Sequence, residues 1–215
     1  MRNYYHQQLS QLNEELIRMG AACEEIIGLA AQALTDHSGS LEEKTQQVGA
    51  AIDESERTIE NICLKLLLRQ QPVARDLRQI SAAMKMITDM ERIGDQAEDI
   101  VDLIPKMTRA AGEDGQMLTK MAQAAKNMVT EAVDAYVKQD LQLAGKVIGD
   151  DDIVDDYFNA VKSGIIQLIA QNPAEGEYAL DLLMIAKYFE RIGDHCTNIA
   201  EWVEFSLTGS HDIRE

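Results

Sequence analysis

Apolar residues recur along most of the chain at alternating steps of three and four, the spacing of a helix face that packs in a bundle. Stretches with this pattern are separated by short polar segments or by prolines. The apolar positions of successive stretches fall within residues 9–33, 41–66, 83–104, 118–135, 154–168 and 182–203. The pattern predicts an all-α fold with six long helices.

A literal repeat shows that these helices come in two sets. The sequence Glu-Arg-Ile-Gly-Asp occupies residues 91–95 and recurs at residues 190–194, 99 positions later. Pro72 and Pro173 correspond as well, because each precedes the helix that carries the motif and ends the helix before it. Duplication of a three-helix unit explains the repetition.

The boundary between the two units is predicted within residues 109–115, where turn residues replace the apolar periodicity. The sequence therefore predicts two tandem, pseudo-symmetric three-helix bundles, formed by residues 1–108 and residues 116–215.

The overall charge narrows the class of partner. The chain has a formal net charge of −17, which disfavours nucleic acid and an anionic bilayer and favours cations or basic patches on proteins. Cys23, Cys63 and Cys196 are far apart in the sequence and form no C-x-x-C pair, as expected of reduced thiols that fill a helical core. No run of 18 apolar residues is present. These features predict a cytoplasmic protein.

The repeated motif carries the candidate chemistry. On a helix, Glu91 and Asp95 lie on one face, as do Glu190 and Asp194. Like charges at this spacing cost about 0.2–0.5 kcal/mol per pair. Bound cations would offset that cost, and paired carboxylates on adjacent helices are suitable ligands for hard metal ions.

The helix before each motif adds acidic residues, and a glycine in each motif should let the two helices approach closely. The predicted metal-site residues are Glu91, Asp95, Glu190, Asp194, Asp53 and Asp150. A solvated acidic face, with Arg92 and Arg191 as counter-charges, explains the same pattern equally well. His195 is either an added nitrogen ligand or an ordinary surface residue.

Three classes of function remain open from the residues alone. No P-loop, G-x-S-x-G or H-E-x-x-H motif occurs, and the Glu-x-x-His signature of di-iron bundles is absent. This favours a non-enzymatic signalling adaptor. The alternatives are a metal-dependent hydrolase or oxidase that uses carboxylate-bound metals, and a structural helical protein without a ligand.

Several segments together closely resemble the PhoU family of phosphate-signalling regulators. They are the residues Asp76-Leu77-Arg78 after Gln71-Pro72, both Glu-Arg-Ile-Gly-Asp motifs, and the sequence Cys-Thr-Asn-Ile-Ala-Glu at residues 196–201. The resemblance extends over roughly residues 5–208.

Membership of this family implies a negative regulator of phosphate uptake that acts between the phosphate-specific ABC transporter and a membrane sensor histidine kinase. It also implies multinuclear clusters of iron or zinc on the acidic surface, and dimerisation. Glu91 with Asp95, and Glu190 with Asp194, match the family's motif.

The family usually carries a second Asp-x-x-x-Asp pair on the preceding helix. Here the corresponding positions are Gly49 with Asp53 in the first repeat, and residues 150 with 154 in the second. A shift by one residue would instead pair Asp151 with Asp155.

Overall fold

The computed structural model describes residues 2–36, 39–70, 73–112 and 115–210, which form long α-helices and no strand. The helices are α1 (Arg2–Ala33), α2 (Glu42–Gln70), α3 (Ala74–Leu103), α4 (Gly115–Lys138), α5 (Leu141–Gln171) and α6 (Gly176–Thr208). The predicted all-α fold with six long helices is confirmed. Pro72, and residues 113–114 of the predicted boundary, lie outside the described residues.

Local chemistry sets the helix ends. The Asp140 carboxylate caps α5 by accepting hydrogen bonds from the backbone N–H groups of Gln142 and Leu143, each at 3.0 Å. Pro105 lies in a short 3₁₀ turn, Ile104–Lys106, directly after α3. Gly209 ends α6 in the left-handed conformation, with φ at 77°, which glycine adopts without a steric penalty.

The helices form two sets that pack on each other. Helices α1, α2 and α3 contact one another, α4, α5 and α6 do the same, and α1 with α4 and α3 with α6 join the sets. Asp89 of α3 meets His195 of α6 at 2.9 Å. Lys85 precedes Asp89 on α3, and its ammonium lies 5.8 Å from the ring centre of Trp202, which follows His195 on α6. The two helices therefore run antiparallel, and the outer helices α2 and α5 flank them.

One continuous core extends through both sets. Buried apolar residues from all six helices form a single cluster. Cys23, Cys63 and Cys196 belong to it, as the sequence predicted. Burial raises the pKa of Cys63 to about 12 and raises the pKa values of Cys23 and Cys196 well above the usual range. These thiols are neutral packing groups.

Tyrosine hydroxyls connect the two repeats through backbone carbonyls. Tyr136 of α4 donates to the carbonyl of Gln79 in α3 at 3.0 Å, and Tyr178 of α6 donates to the carbonyl of Ala111 at 3.1 Å. The Arg109 guanidinium lies 3.6 Å from the ring centre of Tyr178. The segment between the repeats is therefore held against the second repeat.

Candidate functional site

Each repeat has a glycine at a tight contact between its last helix and the preceding one. A Cβ atom added to Gly94 of α3 would lie 3.2 Å from Ile52 Cδ1, and one added to Gly193 of α6 would lie 3.2 Å from Val154 Cγ1. The absence of a side chain lets each helix pair approach, as the sequence predicted. Ile52 and Val154 each pack on the glycine of their repeat. They are therefore equivalent residues, and this equivalence aligns the sequence of α2 with that of α5.

Acidic side chains line a groove of about 230 Å³ between α2 and α3, which we call the first cleft. Its lining residues are Gln46, Gly49, Ala50, Ile52, Asp53, Glu91, Gly94, Asp95 and Glu98. The structure thus brings together Asp53, Glu91 and Asp95, three of the predicted site residues. Asp53 and Glu91 are half-buried, whereas Asp95 is exposed. No lysine or arginine is among the lining residues.

The Glu98 carboxylate reaches from α3 across the first cleft to α2. A Cβ atom added to Gly49 would lie only 1.7 Å from Glu98 Oε1, so this oxygen occupies space that a side chain at position 49 would need. The first repeat lacks an aspartate at position 49, and a carboxylate from the opposite helix covers that position. Glu98 was not among the predicted site residues. Its spacing puts it on the same face of α3 as Glu91 and Asp95, but its reach to α2 depends on how the two helices pack.

Burial and electrostatic repulsion both raise carboxyl pKa values in and beside the first cleft. Burial, followed by the negative charges of Asp95, Glu56 and Asp53, raises the pKa of Glu91. Burial followed by Asp95 also raises the pKa of Glu98, and burial followed by Asp53 raises that of Glu56. A nearby positive charge would therefore stabilise the ionised forms.

The equivalent site between α5 and α6, which we call the second cleft, contains Asp151, Asp155, Glu190 and Asp194. Asp151 Oδ1 lies 3.1 Å from where a Cβ atom on Gly193 would be, so this carboxylate packs across the glycine. Burial, followed by the charges of Asp194 and Asp155, raises the pKa of Asp151 to about 6. Burial followed by Glu190 raises the pKa values of Asp194 and Asp155.

Asp150, which the sequence grouped with Glu190 and Asp194, lies elsewhere. Its Oδ2 accepts a hydrogen bond of 2.7 Å from Lys146 Nζ, and it lines a separate groove between α4 and α5. The alignment that paired residue 150 with Val154 is off by one residue, because Val154 is the residue that packs on Gly193. Asp151 and Asp155 therefore face the motif of the second repeat.

His195 points away from the second cleft, into the junction of α3 and α6. Its Nδ1 lies 2.9 Å from Asp89 Oδ1, which also accepts a hydrogen bond of 3.3 Å from Asn198 Nδ2. Both His195 and Asp89 are buried. In the structure, His195 therefore belongs to the contact between the repeats.

The donor chemistry of both clefts suits a cation, but the side chains are not arranged around one point. Within residues 2–36, 39–70, 73–112 and 115–210, no three carboxylate, imidazole or thiol groups converge closely enough to hold one metal ion. The groups that face each cleft are carboxylate oxygens, the ligands of hard metal ions. Metal binding at the predicted residues stays a prediction.

The two repeated units of the chain each match a known protein family. The family model described as "PhoU domain" matches residues 16–104 and again residues 118–203. The chain belongs to the PhoU family. Both matched segments include the Glu-Arg-Ile-Gly-Asp motif and the glycine at which the helices approach.

Individual PhoU relatives match over nearly the whole chain. The chain is 32% identical over 210 residues to the phosphate-specific transport system accessory protein PhoU homolog of Clostridium acetobutylicum, covering 97% of this chain and 96% of the relative. It is 33% identical to the homolog of Synechocystis, covering 98% of this chain and 94% of the relative. The crystal structure of PhoU from Pseudomonas aeruginosa superposes with a TM-score of 0.89 at 28% identity, covering 96% of this chain and 100% of that one.

Across the described part of the chain, no helix combines the length and the apolar composition that crossing a membrane requires.

Proposed function

We propose that this protein is a non-enzymatic negative regulator of phosphate uptake and of phosphate-starvation signalling. The observation that carries the proposal is the match to the PhoU family over both repeats, together with relatives named as accessory proteins of phosphate-specific transport. The buried, neutral cysteine thiols also support it, since they are unsuitable as nucleophiles.

The proposed partners are the ATPase subunits or cytoplasmic face of a phosphate ABC transporter, and a sensor histidine kinase. The protein would act in the cytoplasm as a homodimer and reach the membrane only through these proteins. A net charge of −17 supports basic protein surfaces as partners and argues against nucleic acid.

Metal ions are part of the proposal. Asp53, Glu91, Asp95 and Glu98 would hold a cation in the first cleft, once their carboxylates have turned toward a common point. Iron or zinc, as a multinuclear cluster, is the candidate that the family resemblance suggests. A bound cation would supply the positive charge that these carboxylates lack and would link α2 to α3.

Deletion of the gene in the source organism tests the regulatory role. Phosphate-starvation genes should stay switched on in phosphate-rich medium, and the wild-type gene should restore repression. Complementation with Glu91→Gln/Asp95→Asn shows whether the first cleft is needed for repression. Leu68→Gln is a control, because Leu68 is 82% exposed at the far end of α2. Unchanged repression in the deletion strain would rule out the regulatory role.

Partner binding has its own test. Purified protein is titrated against the transporter's ATPase subunits and against the cytoplasmic part of the kinase at 50 and 500 mM NaCl. Affinity should fall at the higher salt concentration, because screening weakens the attraction between the acidic surface and basic partner patches. Binding to neither partner at either salt concentration would contradict the proposed assembly.

A further inference from the structure

The two acidic motifs are identical in sequence, but the residue three positions before each glutamate differs. In α3 this residue is Thr88, whose Oγ1 donates to the backbone carbonyl of Met84 at 3.4 Å. In α6 it is Lys187, whose Nζ donates a hydrogen bond to Glu190 Oε2. The second motif therefore has a cation on its own helix, where the first has a neutral hydroxyl.

Lys187 lies at the rim of the second cleft, where its side chain is 47% exposed. Its ammonium is 5.7 Å from the ring centre of Phe158 on α5, so it is placed between the two helices that form the cleft. Its charge also opposes the raised pKa values of Asp155 and Asp194, so it acts on carboxylates from both helices. The Glu190 side chain that it contacts is only 15% exposed.

The equivalent place in the first cleft has the opposite character. With Ile52 aligned to Val154, Glu56 takes the position of Phe158. The first repeat thus has a carboxylate where the second has an aromatic ring beneath an ammonium. Two cations lie near the first cleft in the described part of the chain. Arg57 has a side chain that is 75% exposed and lies 3.9 Å from Asp53, and Arg92 opposes the raised pKa of Glu91. Neither lines the cleft.

We infer that Lys187 is a built-in counter-ion for the second cleft, and that the two clefts therefore differ in their demand for an external metal ion. The first cleft takes up the metal with higher affinity, whereas the second is already neutralised in part by its own lysine. The difference in metal affinity rests on the proposed metal binding, whereas the counter-ion role of Lys187 does not.

Exchange of the two equivalent residues tests the affinity difference. Isothermal titration with Mn²⁺ is run at fixed ionic strength on the Glu91→Gln/Asp95→Asn background, in which the first cleft loses two of its four proposed ligands and the second cleft keeps all of its carboxylates. Adding Lys187→Thr should strengthen Mn²⁺ binding at least about tenfold, and Lys187→Arg should leave it weak. In the otherwise wild-type chain, Thr88→Lys should weaken binding at the first cleft by a similar factor. Lys162→Thr removes an exposed charge elsewhere on α5 and should change nothing.

Thermal melting in EDTA tests the counter-ion without any metal. At low salt, Lys187→Thr should lower the melting temperature by about 2 °C and Thr88→Lys should raise it. Both shifts should shrink in 1 M NaCl, because screening replaces the counter-ion. If Lys187→Thr melts like the wild type at low salt, the counter-ion is disproved. If both clefts bind Mn²⁺ equally in the presence of Lys187, the affinity difference is disproved. If no variant binds Mn²⁺, Zn²⁺ or Fe²⁺, the proposed metal binding and the affinity difference fail together, while the EDTA result still decides the role of Lys187.

Discussion

In the first cleft the carboxylate that crosses the helix pair belongs to the inner helix, where Glu98 of α3 covers Gly49. In the second cleft it belongs to the outer helix, where Asp151 of α5 packs across Gly193. Thr197 is the residue equivalent to Glu98. The two repeats therefore differ in the helix that supplies the acid. It is α3 in the first repeat and α5 in the second, and in each case the opposite helix has the smaller residue. The duplicated scaffold thus keeps a negative charge between its last two helices, although the residue that bears this charge differs between the repeats.

The largest expected effect comes from placing an acid on both sides of the first cleft. Gly49→Asp should lower the free energy of unfolding in EDTA by about 2 kcal/mol, because its side chain must displace the Glu98 carboxylate and then lies beside it. Adding Glu98→Thr recreates the arrangement of the second cleft and should recover most of the loss. Urea denaturation of the single and double variants measures both effects.

Gly149→Asp is the matched control for that change. It introduces the same residue type on α5, where a Cβ atom would meet nothing within 4 Å. It should alter the stability by less than about 0.5 kcal/mol. An equal loss for both single variants would show that the crossing carboxylate is not responsible.

The second prediction concerns the glycines at which the helices approach. Gly94→Ala and Gly193→Ala gain the same helix propensity, and each new Cβ meets a methyl group at 3.2 Å. Ile52 presents the end of a flexible side chain, whereas the Val154 methyl is branched at Cβ and stiff. Gly193→Ala should therefore be less stable than Gly94→Ala by about 1.5 kcal/mol. Denaturation of both variants under one condition checks this, and equal stabilities would contradict it.

The third prediction is a pH dependence from the second cleft. The pKa of Asp151 is about 6 in the folded state, above its value near 3.8 in an unfolded chain, so the folded state binds its proton more tightly. Stability is therefore greatest below pH 4 for this group and is lost as the pH rises toward 7. The loss should be roughly 1 kcal/mol after allowance for solvent screening. Denaturation of the wild type and Asp151→Asn in EDTA between pH 4 and 7 measures it, and the variant should lack this component.

The smallest effect is expected at the rim of the first cleft. Arg57 lies 3.9 Å from Asp53, and its side chain is largely exposed, whereas that of Asp53 is half-buried. Arg57→Ala should therefore change the stability by no more than about 0.5 kcal/mol. A loss larger than that of Lys187→Thr in the same buffer would show that rim charges neutralise the first cleft and would remove the proposed contrast.

Much of the architecture could be predicted from the sequence, because helix faces repeat over many residues and average out local ambiguity. The six helices, the buried cysteines and the close approach at Gly94 and Gly193 all follow from such repetition. The alignment of α5 could not be read in the same way. Asp150, Asp151 and Asp152 are consecutive, so the choice of which carboxylate faces α6 depends on the packing of Val154.

The arrangement across helices was also beyond the sequence. The spacing of Glu98 shows that it shares a face with Glu91 and Asp95, but not that it reaches Gly49 on another helix. Lys187 could pair with Glu190 on any exposed helix. Its position over Phe158, which makes it part of the second cleft, depends on how α5 and α6 pack together.

The antiparallel contact between α3 and α6 has a consequence for how such a chain could have arisen. A solitary three-helix unit would expose the face that now covers its neighbour, so we expect it to exist only as a self-complementary pair of identical subunits. The present junction has departed from that symmetry: Asp89 meets His195, while the equivalent residues are Tyr188 and Gln96, and Gln96 Oε1 is buried without a hydrogen-bond partner. In a fused chain the acid and the imidazole each occur once, on opposite helices. In a pair of identical subunits, each subunit would have to carry both residues.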